Sequence, residues 1–178
     1  MGLFDRLMGR ELPERRDARK IYLRLMEQAR NPEFFGKERV ADDFDGRIDM
    51  IALHLTLMME RLRSEGEDGK LLNQALFDEM KDDFEVALRE EGISDTGVKR
   101  RIKPMIGHFY DRLKTYTDAL KTDDAQTKLA ESFVIGDSPD TVSPFAEKLS
   151  AYSLTWLKDL SGVSLKQITS TRFYFPEL

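Results

Sequence analysis

The sequence contains no cysteine and only two histidines, His54 and His108, in 178 residues. The first absence excludes disulfides, thiolate zinc sites and thiol nucleophiles. The second leaves too few imidazoles for a His-Glu-x-x-His zinc site, a di-iron carboxylate bundle or a metal-dependent phosphohydrolase. A Gly-rich phosphate loop and a Gly-x-Ser-x-Gly nucleophile elbow are also missing. The strongest apolar run, Met50 to Met59, is broken by His54 and Thr56. It falls short of the roughly 20 residues that a spanning helix needs. Positive charge is not in excess: 28 Lys and Arg against 33 Asp and Glu give a net charge of −5. That balance argues against general nucleic-acid affinity, which needs phosphate-neutralising cations. No catalytic residue, metal ligand or cofactor is assigned, and the chain reads as non-enzymatic.

What is present is a soluble balance, 40% hydrophobic and 34% charged, in a length that suits one domain with a real core. The organising stretch is Asp45 to Leu62. Ile48, Ile51, Ala52, Leu55, Met58, Met59 and Leu62 recur at helical spacing, and Met50, Leu53 and Leu57 cover the opposite side. A helix without a wet face is buried by neighbours on several sides. The acidic run before it, Ala41 to Gly46, fails as a calcium loop because alanines occupy its first and closing ligand positions. Asp43 or Asp45 is instead expected to cap the helix.

Around this helix the spacing predicts further helices. Glu14 to Arg30 carries a stripe of Ala18, Ile21, Tyr22, Leu25, Met26 and Ala29, stopped by Asn31-Pro32. After a polar loop over 33–44 and a turn over 64–69, Lys70 to Glu91 buries Leu72, Ala75, Leu76, Met80, Phe84, Ala87 and Leu88. Gly92 suits its left-handed end. A partner helix capped by Asp95 or Thr96 runs to about Leu120, with a kink expected at Pro104. The acidic end of the first helix is expected beside the basic start of the second, Lys99 to Lys103. Shorter helices follow at Asp123–Val134 and from Ser143-Pro144 to Leu160. Residues 163–178 lack a helical period and end in Arg172-Phe173-Tyr174-Phe175, extended and folded back on the bundle. The reading is an all-α single-domain irregular bundle of six to seven helices. It comprises a domain over 14–162, an N-terminal amphipathic segment over 1–12 and an extended tail over 163–178.

The N-terminal segment groups Leu3, Phe4, Leu7 and Met8 on one side of a short helix, with Arg6 and Arg10 nearby. Two readings stay open: membrane contact on an anionic surface, or a terminal helix docked on the bundle or frayed. No secretory signal is visible, and Arg6 stands where a myristoylation motif wants Ser or Thr.

Several short motifs share an order and spacing. They are Tyr22 with Ala29-Arg30-Asn31-Pro32, Phe44-Asp45-Gly46-Arg47, Leu53-His54-Leu55 and Arg61-Leu62. Gln74-Ala75-Leu76-Phe77-Asp78, Met80 with Asp83, Leu88-Arg89-Glu90-Glu91-Gly92 with Asp95, and Phe109-Tyr110-Asp111-Arg112 with Tyr116 continue the series. Over about Tyr22 to Leu120 the chain resembles the ubiquinol–cytochrome c chaperone family. It departs at Asp111, where the family usually shows Gly, and at Lys81, where an apolar residue is expected. The resemblance implies an all-α assembly factor without catalysis or cofactor. The implied partners are cytochrome b or another respiratory membrane subunit, a small assembly partner and the membrane surface.

The absence of a presequence before Met1 leads us to expect a protein of the bacterial cytoplasm, peripheral on the inner face of the inner membrane. Motif positions nominate Asp45, Arg47, His54 and Arg112 as a shared polar client site, with Arg47 alternatively in an ion-pair network with Asp45 and Asp49. Met58, Met59, Met80 and Met105 are candidates to line an apolar groove, since Met adapts to irregular partners, or else to fill ordinary core. A second function class is a small-molecule or lipid-binding protein with chemistry around His54. A closed apolar cavity at His54 would favour it, and an open apolar surface groove would favour the chaperone.

Overall fold

A computed structural model describes residues 12–136 and 142–178. The N-terminal segment with Leu3, Phe4, Leu7 and Met8 therefore lies outside the described residues. Among the described residues seven α-helices form: α1 (Pro13–Ala29), α2 (Phe44–Leu62), α3 (Gly66–Glu90), α4 (Asp95–Leu120), α5 (Ala125–Ser132), α6 (Pro144–Ser161) and α7 (Leu165–Thr169). Single 3-10 turns at Pro32–Phe34 and Arg63–Glu65 flank α2, and no strand forms among the described residues beyond one bridge between Phe35 and Val40. The all-α architecture expected from the spacing is the one observed.

The central helix is enclosed as its composition requires. Every residue from Ile48 to Met58 is buried, and α1, α3, α4 and α6 pack around it. Asp43 caps it by accepting from the Gly46 amide at 2.9 Å. Gly46 has a packing reason: a Cβ there would lie 2.1 Å from the Ala41 carbonyl oxygen. On α1 the buried residues are the six of the predicted stripe.

The differences have local causes. Helix α3 starts at Gly66 rather than Lys70, with Glu67 and Asp68 in its first turn favouring the positive dipole end. Ala87 on its predicted buried stripe is exposed. The cap of α4 is Ser94, which accepts from Gly97 N, while Asp95 sits inside the first turn. Pro104 lies within the span of α4. Gly92, at φ +77°, closes α3 as expected, with Gly92 N donating to Arg89 O and Ile93 N to Leu88 O. Across this turn the observed ion pair is Arg89 with Asp95 at 3.7 Å. The cations at Lys99, Arg100, Arg101 and Lys103 make no ion pair with a described residue, contrary to the acidic-to-basic register expected there.

In the tail, α7 is a helix that periodicity could not show, because it is five residues long. A reciprocal capping box between Ser164 and Gln167 starts it. Beyond it the chain is extended and alternates: Phe173 is buried, Tyr174 is exposed, and Phe175 packs on Trp156 at 4.8 Å between ring centroids.

Candidate functional site

His54 is wholly buried and tightly packed. The rings of Phe34, Tyr152, Trp156 and Phe175 surround it at 5.4, 5.8, 5.5 and 6.0 Å. Its Nδ1 lies 2.7 Å from the Met50 carbonyl, which can only accept, so Nδ1 carries the proton. Nε2 then accepts from the Tyr152 hydroxyl at 2.9 Å, and that oxygen accepts from Gln28 Nε2 at 3.1 Å. The chain of bonds runs one way and fixes a neutral imidazole. Burial pushes its pKa down to about 4, against a smaller upward pull from the Met50 carbonyl. Both nitrogens are committed and aromatic rings fill the surroundings, so His54 is a core link, and it does not share a site with Asp45, Arg47 or Arg112.

The polar centre lies one turn earlier, at Asp49. Arg112 Nε approaches Asp49 Oδ1 to 3.0 Å, and His108 Nε2 lies 3.1 Å from the same oxygen. Arg112 also donates from Nη2 to the Tyr116 hydroxyl at 2.7 Å and to the Ser132 carbonyl at 2.8 Å. Its guanidinium stands 4.7 Å from the Tyr116 ring centroid. Burial pushes the Asp49 carboxyl up, and Arg112 and then His108 pull it back. Asp49 and His108 carry this centre although the motif positions nominated neither. The available signal was a lone carboxylate on an otherwise apolar helix.

His108 opens onto a groove of about 470 Å³ between α2, α3 and α4. Phe44, Leu88, Pro104 and Met105 supply apolar walls, and Asp45, Glu91 and Arg101 supply charge. Phe44 is 52% exposed. Thus Asp45 faces the groove and Arg112 stands behind it through Asp49 and His108. Arg47 points elsewhere: it pairs with Asp42 at 2.8 Å and lies over the Phe35 ring at 5.9 Å. The network expected between Arg47, Asp45 and Asp49 is replaced by these separate pairs.

The methionines divide as well. Met58 and Met80 are fully buried core, which removes Met58 from any binding surface. Met59 lines a second groove of about 370 Å³ with Phe77, Tyr110 and Leu113. Among the described residues no cluster of His, Asp and Glu is arranged to hold a metal ion, and no helix is long and apolar enough to cross a membrane.

Comparison with known proteins agrees with this architecture. The chain is similar to ubiquinol-cytochrome c reductase complex assembly factor 1 of Homo sapiens, 25% identical over 107 residues, covering 60% of this chain. The Xenopus laevis assembly factor 1 matches at the same identity and length. This chain spans 36% of the human relative and 54% of the frog one. The crystal structure of the Cbp3 homolog from Brucella abortus superposes with a TM-score of 0.77 at 28% identity, covering 98% of this chain and 95% of that one. The family model for ubiquinol-cytochrome C chaperone matches residues 37–175. With most of its length matched to that model, the chain belongs to the ubiquinol–cytochrome c chaperone family.

Proposed function

We propose that this protein is a non-enzymatic assembly factor for the ubiquinol–cytochrome c reductase complex. On this reading it holds an apolar segment of a membrane subunit, cytochrome b, in the groove bordered by Phe44. The observation that carries the reading is the family match across 37–175. The groove supports it physically, since half-exposed Phe44 and the walls of Leu88, Pro104 and Met105 offer apolar surface without unfolding anything. Asp45, Glu91, Arg101 and His108 supply a polar rim that orients a client. On the same reading it works at the inner face of a bacterial inner membrane, with a small partner protein; the likeness to a homolog from Brucella abortus over 95% of that chain supports the bacterial setting. The alternative of a ligand site around His54 loses its basis, because both ring nitrogens there are engaged and four rings fill the space.

The test is deletion of the gene in its source organism, with a re-expressed copy as control. Loss of membrane cytochrome b and of quinol–cytochrome c reductase activity, restored by the copy, is the expected result; unchanged levels refute the reading. Two variants refine it. Phe44→Asp puts an acid into the first turn of α2, where it suits the dipole, so the melting temperature stays near wild type. Client crosslinking should nonetheless fall at least about tenfold, the loss typical of removing an interface anchor. Arg47→Ala removes an exposed pair with Asp42 and a contact over the Phe35 ring, and should cost about 1 kcal/mol of stability. Because Arg47 points away from the groove, its loss should leave crosslinking unchanged.

A further inference from the structure

The first half of α4 carries an unusual surface. Between Asp95 and Asp111 there is no acidic residue, while Lys99, Arg100, Arg101 and Lys103 fall in that interval of a chain whose net charge is −5. Each of these four is exposed and makes no ion pair with a described residue. Elsewhere Arg15, Lys20, Lys70 and Lys128 are neutralised by carboxylates, whereas Arg19, Lys81, Lys148, Lys158 and Lys166 make no ion pair with a described residue, so the α4 group stands apart by its density, four cations within five residues. Helical spacing sets Lys99, Lys103, Gly107, Tyr110 and Lys114 on one outer ridge, with Arg100 beside it. The ridge extends about 22 Å along the helix. Gly107 borders open space, and Tyr110 is 50% exposed. The neighbouring acids are Asp95, one turn before Lys99 and paired with Arg89 at 3.7 Å, Glu91 on the groove beside Arg101, and Asp111 and Asp118, the last paired with Lys114 at 3.0 Å.

We propose that this ridge is a docking surface for an anionic lipid bilayer. The two grooves beside α4 lie on its flanks, toward Met59 and toward Met105, so the ridge itself is convex and offers a folded protein no pocket. A plane of phosphates needs no pocket. It meets a row of cations directly, and a tyrosine ring suits the headgroup layer. In an acidic protein the same ridge also sets orientation, because the rest of the surface is repelled from the membrane. The inference does not depend on the identity of the client.

The test is flotation of the full chain with phosphatidylcholine vesicles, with and without phosphatidylglycerol. Binding should require the anionic lipid and weaken as salt rises. Each Lys or Arg near an anionic surface is worth about fivefold in binding. The variant Lys99→Glu/Arg100→Glu/Lys103→Glu should therefore lose at least ~100-fold. Lys148→Glu/Lys158→Glu/Lys166→Glu changes net charge equally at exposed positions on α6 and α7 and should retain most of the binding. Lys99→Gln/Arg100→Gln/Lys103→Gln repeats the test without charge reversal, should the first variant fold poorly by circular dichroism. Equal losses in the two glutamate variants, wild-type binding by the α4 variants, or binding indifferent to phosphatidylglycerol would each overturn the proposal. Retained vesicle binding by the α4 variants with loss of a protein crosslink would assign the ridge to an acidic partner instead.

Discussion

Arg112→Ala lowers the unfolding free energy by about 3 kcal/mol, within the range for breaking a largely buried ion pair. At this chain length that corresponds to a fall in melting temperature of roughly 6–12 °C. The side chain joins three elements. It neutralises Asp49 on α2, holds the hydroxyl of Tyr116 one turn further along α4, and satisfies the Ser132 carbonyl at the end of α5. Truncation leaves the Ser132 carbonyl without that donor and leaves Asp49 with His108 as its remaining side-chain partner. Part of the cost is then relieved by protonation, since burial already pushes the Asp49 carboxyl up. Arg112→Lys should fall between, because an ammonium keeps the charge but cannot serve three acceptors in a planar fork. The cycle with Asp49→Asn separates the ion pair from the bonds to Tyr116 and Ser132. A loss below about 1 kcal/mol by urea unfolding would show that the centre is loosely held and would return Arg112 to the list of client contacts.

That result would also explain why motif reading located the fold better than the site. Several motif positions are links between elements. Tyr22 donates to Asp83 across α1 and α3 at 2.8 Å. Arg61 fastens the end of α2 to the Leu160 and Val163 carbonyls at 2.8 and 2.6 Å. Gly46 admits the Ala41 carbonyl, and Gly92 turns α3 into α4. Residues of this kind specify one packing arrangement, and their order along the chain reports that arrangement.

Apolar periodicity did the rest, because a helix in water must hide its stripe. It therefore gave α1 and α2 nearly residue by residue. Periodicity is silent about long-range polar pairs. Nothing in the spacing of Asp49 and His108, 59 residues apart, indicates that they meet. The same silence hid Tyr152, which reaches His54 across 98 residues. It also led motif reading to group Asp45, Arg47, His54 and Arg112, which the fold separates. The α4 ridge was visible as a basic run, but a carboxylate-rich neighbour in the sequence suggested neutralisation that the turn geometry sends to Arg89 and Asp95 instead.

The remaining large effect is a pH dependence set by His54. Its folded pKa of about 4 lies below the ordinary histidine value of 6.5, so the unfolded chain binds the proton more readily. Stability from this group is then fully present above pH 6.5 and is lost as pH falls toward 4. Between pH 7.5 and 4.5 the loss is about 2–3 kcal/mol. The structural reason is the one-way run of bonds from Gln28 through Tyr152 to His54 and the Met50 carbonyl. A proton on Nε2 would face a hydroxyl already oriented to donate, inside a cage of four rings that offers no counter-charge. His54→Leu supplies the control. At pH 7.5 it is less stable than wild type by about 1–2 kcal/mol, because the Tyr152 hydroxyl loses its buried acceptor. It cannot be protonated, however, so the gap narrows or reverses by pH 4.5. Every other ionisable group is common to the two proteins, so subtracting the two stability curves isolates His54. Urea unfolding across this range decides the matter: parallel curves would mean that the imidazole finds water or a charge partner, and converging curves would mean that the core is as dry and closed as its packing indicates.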